Sequence, residues 1–304
     1  MDKKNKINGN LKLMIIVKLY GGLGNQMFQY AAGRSLSLKL GLPLAYEGEY
    51  FRHPERFGSH WSYQLGLTGA DCAEWRSSWP RDYFNQYYKV IRKLNNLNLY
   101  KSKKFFFETP FTFDQRFLDI NQSCFIDGYF QSEKYFQGIR QQLIKEFSPK
   151  VPFQNKNMEI ADLIRSTNSV SLHVRRGDYI HNPAAAQVHG SCTIDFYRQA
   201  ISFFESKVRS PYFFIFSDDL NWVRSNIEIK GHAIFVDNNV GKDSYIDMHL
   251  MSLCRHNITA NSSFSWWGAW LNSNQEKITI APKQWYKDNS QGEDEICPAS
   301  WVRI

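Results

Sequence analysis

The chain has no C-x-x-C pair. Its five cysteines (Cys72, Cys124, Cys192, Cys254 and Cys297) are scattered and odd in number, which argues against a disulfide framework or a zinc site and for reduced thiols. There is no H-E-x-x-H and no dense His/Cys cluster, so a resident catalytic metal is not expected. The spaced D-x-D of many metal-dependent nucleotide-sugar enzymes is missing as well. Asp218-Asp219 is adjacent rather than spaced, and Glu293-Asp294-Glu295 sits in a polar tail and reads as a solvated face. Long apolar runs are also lacking. The N-terminal MDKKNKINGNLKLMIIVKLYGG is basic, but Lys12 and Lys18 interrupt its apolar stretch, which is short for a signal peptide and well below the ~20 residues of a membrane span. It reads as an unstructured tail before a first strand. The expected location is cytoplasmic, with at most peripheral contact at the inner membrane face. A sequon such as Asn257-Ile258-Thr259 is then expected to stay unmodified. No internal repeat or low-complexity tract appears. Net charge is +8, yet no basic helix or nucleic-acid motif accompanies it, so an anionic ligand or surface is the better reading.

With 16% aromatic and 22% charged residues over 304 positions, the chain is globular and long enough for two domains. Near the start, LMIIVKLYGGLGNQMFQYAAGRSL (Leu13 to Leu36) reads as a strand, a glycine loop and a helix. It matches a dinucleotide G-x-G-x-x-G only in part. Gly22 and Gly24 are followed by Gln26 and Met27 with no third glycine, and no acidic residue ends a second strand at the required distance. A dehydrogenase is therefore disfavoured. The glycines let the backbone approach a ligand to which Asn25 and Gln26 offer amides.

The rest of the first half is irregular. A helix is predicted over Tyr83 to Leu99, a strand in FIDGYFQSEKYF (Phe125 to Phe136) and a helix over Glu133 to Phe147. The stretch SPKVPFQNKN (Ser148 to Asn157) carries two prolines and reads as a boundary, giving domains 1–155 and 156–304. After it, strands and helices alternate: VSLHVRR, TIDFYRQAISFFESK with Thr193 as N-cap, YFFIFSDD, HAIFVD, Ser244 to Arg255, NITAN, SFSWWGAWLN and KITIAP. That rhythm predicts a parallel sheet covered on both faces.

Each apolar strand of this half runs into a polar cluster: Arg175-Arg176-Gly177-Asp178, Ser217-Asp218-Asp219, Asp237-Asn238-Asn239 and Asn261-Ser262-Ser263. In an open parallel sheet these ends share the ligand-binding edge. Two arginines leaving a buried strand suit a pyrophosphate. Alternation along the strand lets only one of them point at a given phosphate; the other pairs with Asp178 or braces the loop, and a purely structural Arg–Asp pair is the plainer alternative. The Arg176-Gly177-Asp178 tripeptide is not read as an adhesion motif. Ser262 and Ser263, at a helix start, suit a second phosphate, with simple capping by Ser263 as the alternative. Trp266, Trp267 and Trp270 read as packing.

Taken together, GGLGNQMFQYAAGRSL, FIDGYFQSEKYF, HVRRGDY, FSDD and ITANSSFSWWGAWLN resemble the α-1,2-fucosyltransferase family in order and spacing, from about Ile15 to Trp285. The resemblance implies an α/β fold of GT-B type, two Rossmann-like domains facing across a cleft, with the acceptor on the N-terminal side and GDP-β-L-fucose held by the C-terminal domain. It implies a galactose-terminated acceptor, free or lipid-linked, and no metal or other cofactor. His173 and Asp247 would contact guanosine, Arg175 and Arg176 the diphosphate together with Ser262, Ser263 and Phe264, and Gly22, Gly24, Asn25 and Gln26 the sugar side. Catalysis would be inverting, with Arg175 steadying the leaving phosphate, Asn25 beside the reacting sugar and Asp178 as general base. A fucosyltransferase of other linkage and a non-catalytic GDP-sugar binder are the alternatives.

Overall fold

The computed structural model describes residues 6–9, 13–70, 72–109, 112–177, 191–286 and 293–304. Asp178 lies outside them. The chain divides into two compact units, Met1–Ser148 and Pro149–Ile304. The division falls at the start of the proline-containing stretch. Among the described residues no helix is long and apolar enough to cross a membrane.

The first unit is built on β1 (Lys6–Gly9), β2 (Ile15–Lys18), β3 (Leu44–Glu47), β4 (Ala73–Ser77), β5 (Phe105–Phe107) and β6 (Cys124–Asp127). They form a six-stranded sheet in the order β1-β4-β3-β2-β6-β5, with every neighbouring pair parallel. The N-terminal tail read from the sequence is thus in part an edge strand. Its backbone pairs with β4 from Lys6↔Glu74 to Gly9↔Ser77, and an edge strand needs no alternating apolar pattern to do so. Helix α1 (Leu23–Leu40) follows the glycine loop and is buried on most of its sides. Helix α2 (Arg81–Asn96) buries Tyr88 and Ile91 against the sheet. The single helix expected over Glu133 to Phe147 is broken: two 3-10 turns, Glu133–Tyr135 and Gln137–Ile139, precede α3 (Arg140–Glu146). Glu146 fastens α3 to α1, accepting from Arg34 Nε at 2.8 Å and Tyr30 Oη at 3.0 Å.

The second unit carries the rhythm that the sequence predicts. Its strands are β7 (Ser169–Val174), β8 (Tyr212–Ser217), β9 (His232–Phe235), β10 (His256–Ile258), β11 (Thr279–Ala281) and β12 (Val302–Arg303). All neighbours are parallel, in the order β12-β11-β10-β7-β8-β9. Between them run α4 (Lys156–Ser166), α5 (Ile194–Lys207), α6 (Leu220–Asn226), α7 (Tyr245–Leu253) and α8 (Ser263–Leu271). Thr193 caps α5, its hydroxyl accepting from Phe196 N. Every residue of β7 is buried, as expected for a central strand covered on both faces. Trp266 and Trp267 are fully buried on α8 and pack as core residues, with the Trp266 indole donating to Ile296 O at 2.7 Å. Asn257 of the sequon is also buried. Its amide donates to Ser171 Oγ and Met251 O, so it is a strut between β10 and its neighbours. Each unit is thus an α/β fold of Rossmann-like type on a six-stranded parallel sheet.

Removing Glu146 leaves a half-buried guanidinium and a buried phenol without their acceptor. Glu146→Ala is expected to cost about 1–3 kcal/mol, read as a lower midpoint in chemical denaturation; an unchanged midpoint would mean that the α1–α3 contact is held by packing alone.

Candidate functional site

In each sheet one pair of neighbouring strands marks where the chain reverses its direction of winding, and ligands of open α/β sheets bind outside the carboxyl ends of that pair. In the second unit the pair is β7 and β10. The loop after β7 is Arg175-Arg176-Gly177, and the turn after β10 leads through Asn261 and Ser262 into α8. The two most polar motifs of this half therefore flank the reversal.

Asp218, just past β8, organises the first of these loops. Its Oδ1 accepts from Arg176 N and its Oδ2 from Gly177 N, both at 2.9 Å. Arg175 Nη1 lies 3.2 Å from the same Oδ2. The approach leaves no room for a side chain at 177, where a Cβ would sit 2.9 Å from Asp218 Oδ2. Arg176 turns the other way. Its guanidinium stacks on the Trp222 ring at 3.7 Å, and its Nε is 3.5 Å from Asp219. Asp219 also caps α6 by accepting from Trp222 N. Of the two arginines, Arg175 is the one left at the reversal, and Arg176 braces the loop against Asp219 rather than against any described residue of its own loop. His173, two residues before Arg175, is buried with its Nδ1 unpartnered. Burial, and the neighbouring Arg175, push its pKa down to about 3, so it is a neutral imidazole at any working pH. Its ring lies 5.7 Å from that of Phe264, which brings the end of β7 against the start of α8.

At that start Ser262, not Ser263, is the cap: its hydroxyl accepts from Phe264 N at 3.3 Å. Ser263 is the first helical residue and is half-buried. Asn261 is structural, donating to Trp285 O and accepting from the Cys192 thiol. Asp247 sits in the first turn of α7 within a separate polar cluster. Asn239 Nδ2 donates to its Oδ1 at 2.6 Å, and Asn239 is in turn cross-linked with Asn157 and Asn238. Burial pushes the Asp247 carboxyl up to about 7, against the pull of the Asn239 hydrogen bond. Arg175 and the start of α8 thus flank the reversal, an arrangement suited to an anion.

Comparisons with known proteins identify the family. The model of glycosyl transferase family 11 matches residues 86–304. The chain belongs to that family. It is similar to an Escherichia coli alpha-1,2-colitosyltransferase, 36% identical over 96% of this chain and 99% of that protein. The E. coli O-antigen biosynthesis glycosyltransferase WbnK is 30% identical over 94% and 99%. The Sus scrofa galactoside alpha-(1,2)-fucosyltransferase 2 is 24% identical over 86% of this chain and 70% of its own length.

In this family-11 glycosyltransferase the first unit repeats the logic at its own reversal, between β2 and β6. Gly21 carries the left-handed turn of the loop, with φ +78°, and Gly22 is the N-cap residue of α1. Gly24 is buried inside the first helical turn. Gln26 is fully buried and does not offer its amide to a ligand. Its Nε2 donates to Gly21 O and Ser62 O, and its Oε1 accepts from Gln64 N and Leu65 N, which uses its whole hydrogen-bonding capacity. Asn25 is half-buried and is joined across the reversal by Gln131 Nε2 at 2.9 Å. The structure adds Trp222 and Gln131, and gives specific partners to Asp218 and Asn239, which the sequence places only in polar clusters at strand ends. The run of carboxylates after β8 was the available signal for Asp218.

Asp218→Ala removes the acceptor of two backbone N–H groups and the partner of Arg175. The expected loss is about 1–2 kcal/mol of unfolding free energy, with Asp218→Asn losing less because its carbonyl still accepts. Equal stability of all three proteins in urea would show that the loop is held without this carboxylate.

Proposed function

We propose that this glycosyltransferase moves L-fucose from GDP-β-L-fucose, with inversion, onto the 2-hydroxyl of a terminal galactose on a surface glycan or its lipid-linked precursor. The observation that carries the reading is the pairing at the β7–β10 reversal of Arg175, held by Asp218, with the Ser262-capped start of α8. A guanidinium and a helix N-terminus on one anion supply the positive charge that a leaving diphosphate needs, so no divalent metal is required. The α-1,2 linkage draws support from the likeness to the colitosyltransferase and the galactoside fucosyltransferase, and the acceptor class from the likeness to the O-antigen enzyme. Asp247 is the proposed reader of guanine, whose N1–H and 2-amino group suit one carboxylate. Asp178 remains the proposed base.

A second donor is favoured by the 36% identity to the colitosyltransferase. Colitose lacks the 3-hydroxyl of fucose, and the GDP-binding residues above do not distinguish the two. Competition between GDP-fucose and GDP-colitose decides it, by mass of the product.

With EDTA present, lactose and GDP-fucose are expected to give a Fucα1-2Gal product; loss of transfer on chelation that added Mg²⁺ restores would overturn metal independence. Arg175→Ala is expected to lower turnover by about 10²–10³, and near-normal turnover of Asp178→Asn would remove the base role from that residue. GDP affinity is expected to rise with pH through about 7, by up to about tenfold per pH unit below it. Asp247 must lose its proton before it can accept from guanine, and its folded pKa lies at about 7. Asp247→Asn should flatten that profile, weaken GDP and favour xanthosine diphosphate; a profile unchanged in Asp247→Asn would dissociate this residue from the base.

A further inference from the structure

A cavity of about 320 Å³ opens in the first unit, lined by residues from the carboxyl ends of β3 and β4 and the start of α2. This is within the size range of small-ligand sites. None of the residues discussed above lies in its wall. Its charged groups come in matched pairs. Arg81 donates to Glu49 Oε1 from Nη2 at 2.6 Å and from Nε at 3.0 Å. Arg52 reaches Glu47 Oε1 at 3.1 Å and also Glu74, and Arg76 Nη2 is 3.2 Å from Glu74 Oε2. Each of these guanidiniums already lies against a carboxylate, which favours a neutral ligand over a phosphate or a carboxylate. The wall presents fixed, oriented donors and acceptors.

Two further features narrow the ligand. The Arg76 side chain is 41% exposed beside its contact with Glu74, which leaves guanidinium donors for a ligand oxygen. Trp79 is 52% exposed, with its ring edge-on to Tyr87 at 5.6 Å, while Trp75 and Phe84 pack at 5.4 Å and give the cavity an apolar wall. An exposed indole beside paired carboxylates and guanidiniums suits a molecule with one C–H face and a rim of hydroxyls. We infer that this cavity binds a neutral saccharide and serves as a subsite for the acceptor glycan, an inference that rests on the proposed glycosyl transfer. The Trp79 ring stacks on the sugar face, the exposed end of the Arg76 guanidinium donates to a ring or hydroxyl oxygen, and Glu49 and Glu47 accept from hydroxyls.

The test uses the full chain without donor. Lactose, N-acetyllactosamine and 3′-sialyllactose are titrated against wild type, Trp79→Ala, Trp79→Phe and Arg76→Leu, read by saturation-transfer NMR, with GDP binding measured separately. The two neutral sugars are expected to bind wild type, with affinity about tenfold lower in Trp79→Ala and Arg76→Leu. Trp79→Phe should keep most of the affinity, GDP affinity should be unchanged, and 3′-sialyllactose should bind no tighter than lactose. Equal affinities in all four proteins, no neutral-sugar binding by wild type, or preference for the anionic sugar would overturn the inference. If sugar binding depends on Trp79 and Arg76 but no transfer occurs, the transfer reading fails and the saccharide site stands. If transfer occurs with an acceptor KM that these variants do not move, the site fails and the transfer reading stands.

Discussion

Asp218 does for the second unit what a covalent tie would do: one carboxylate, at the end of β8, fixes the main chain and a side chain of the loop leaving β7. The register places Val174 opposite Ser217, so each strand ends where the other does and the residue after Ser217 meets those after Val174. β7 is buried throughout, so its polar residues can only emerge past Val174, at the sheet edge. Burial thus decides where the arginines appear, and the carboxylate decides how they point. Arg175 shares the Asp218 oxygen that receives Gly177 N, whereas Arg176 is drawn aside onto Trp222 and Asp219. Adjacent residues of an extended segment face opposite ways, and the two acidic residues after β8 receive the two arginines one each.

Much of this unit could be read from its sequence because each strand is long enough, or apolar enough, to stand out between helices. YFFIFS and SVSLHV announce themselves, and the polar residues that stop them form the candidate site. What could not be read is partnership. That Arg176 pairs with Asp219, and that Ser262 rather than Ser263 caps α8, depends on strand register and on φ/ψ at single residues, which composition does not encode. The first unit was harder for a different reason. β3, β4 and β5 are three to five residues long, too short for a period-2 pattern to rise above chance. β1 is an edge strand with no apolar signature. The helix expected over Glu133 to Phe147 has the right periodicity, but its first part is taken up by 3-10 turns. Ser132 receives Lys134 N there, and Tyr135 is pinned in the aromatic cluster with Phe117 and Phe130.

Gln26 shows how a motif can be right in place and wrong in role. An amide after a glycine loop suggests a ligand contact, and the loop does lie at the reversal of the sheet. The side chain, however, points into the protein, where it satisfies four backbone groups, three of them on residues 62–65. A buried amide with every valence used cannot be exchanged for a ligand without leaving those backbone groups orphaned. Its contribution is to hold the loop that presents Asn25.

Both units set their arginines against carboxylates, and what else lies at each place bears on what each can bind. In the first, Arg34, Arg52, Arg81 and Arg116 each lie against a partly buried carboxylate, so strong dipoles are fixed in place while their fields cancel at a distance. Such a surface discriminates by the direction of its hydrogen bonds, which suits polyhydroxylated neutral molecules whose identity lies in the orientation of their hydroxyls. In the second, Arg175 stands at the sheet edge next to a helix N-terminus, with a histidine held neutral beneath it. Keeping His173 uncharged matters there: a second titrating cation would tie anion affinity to pH near neutrality, whereas a buried imidazole leaves the permanently charged guanidinium as the cation at this edge.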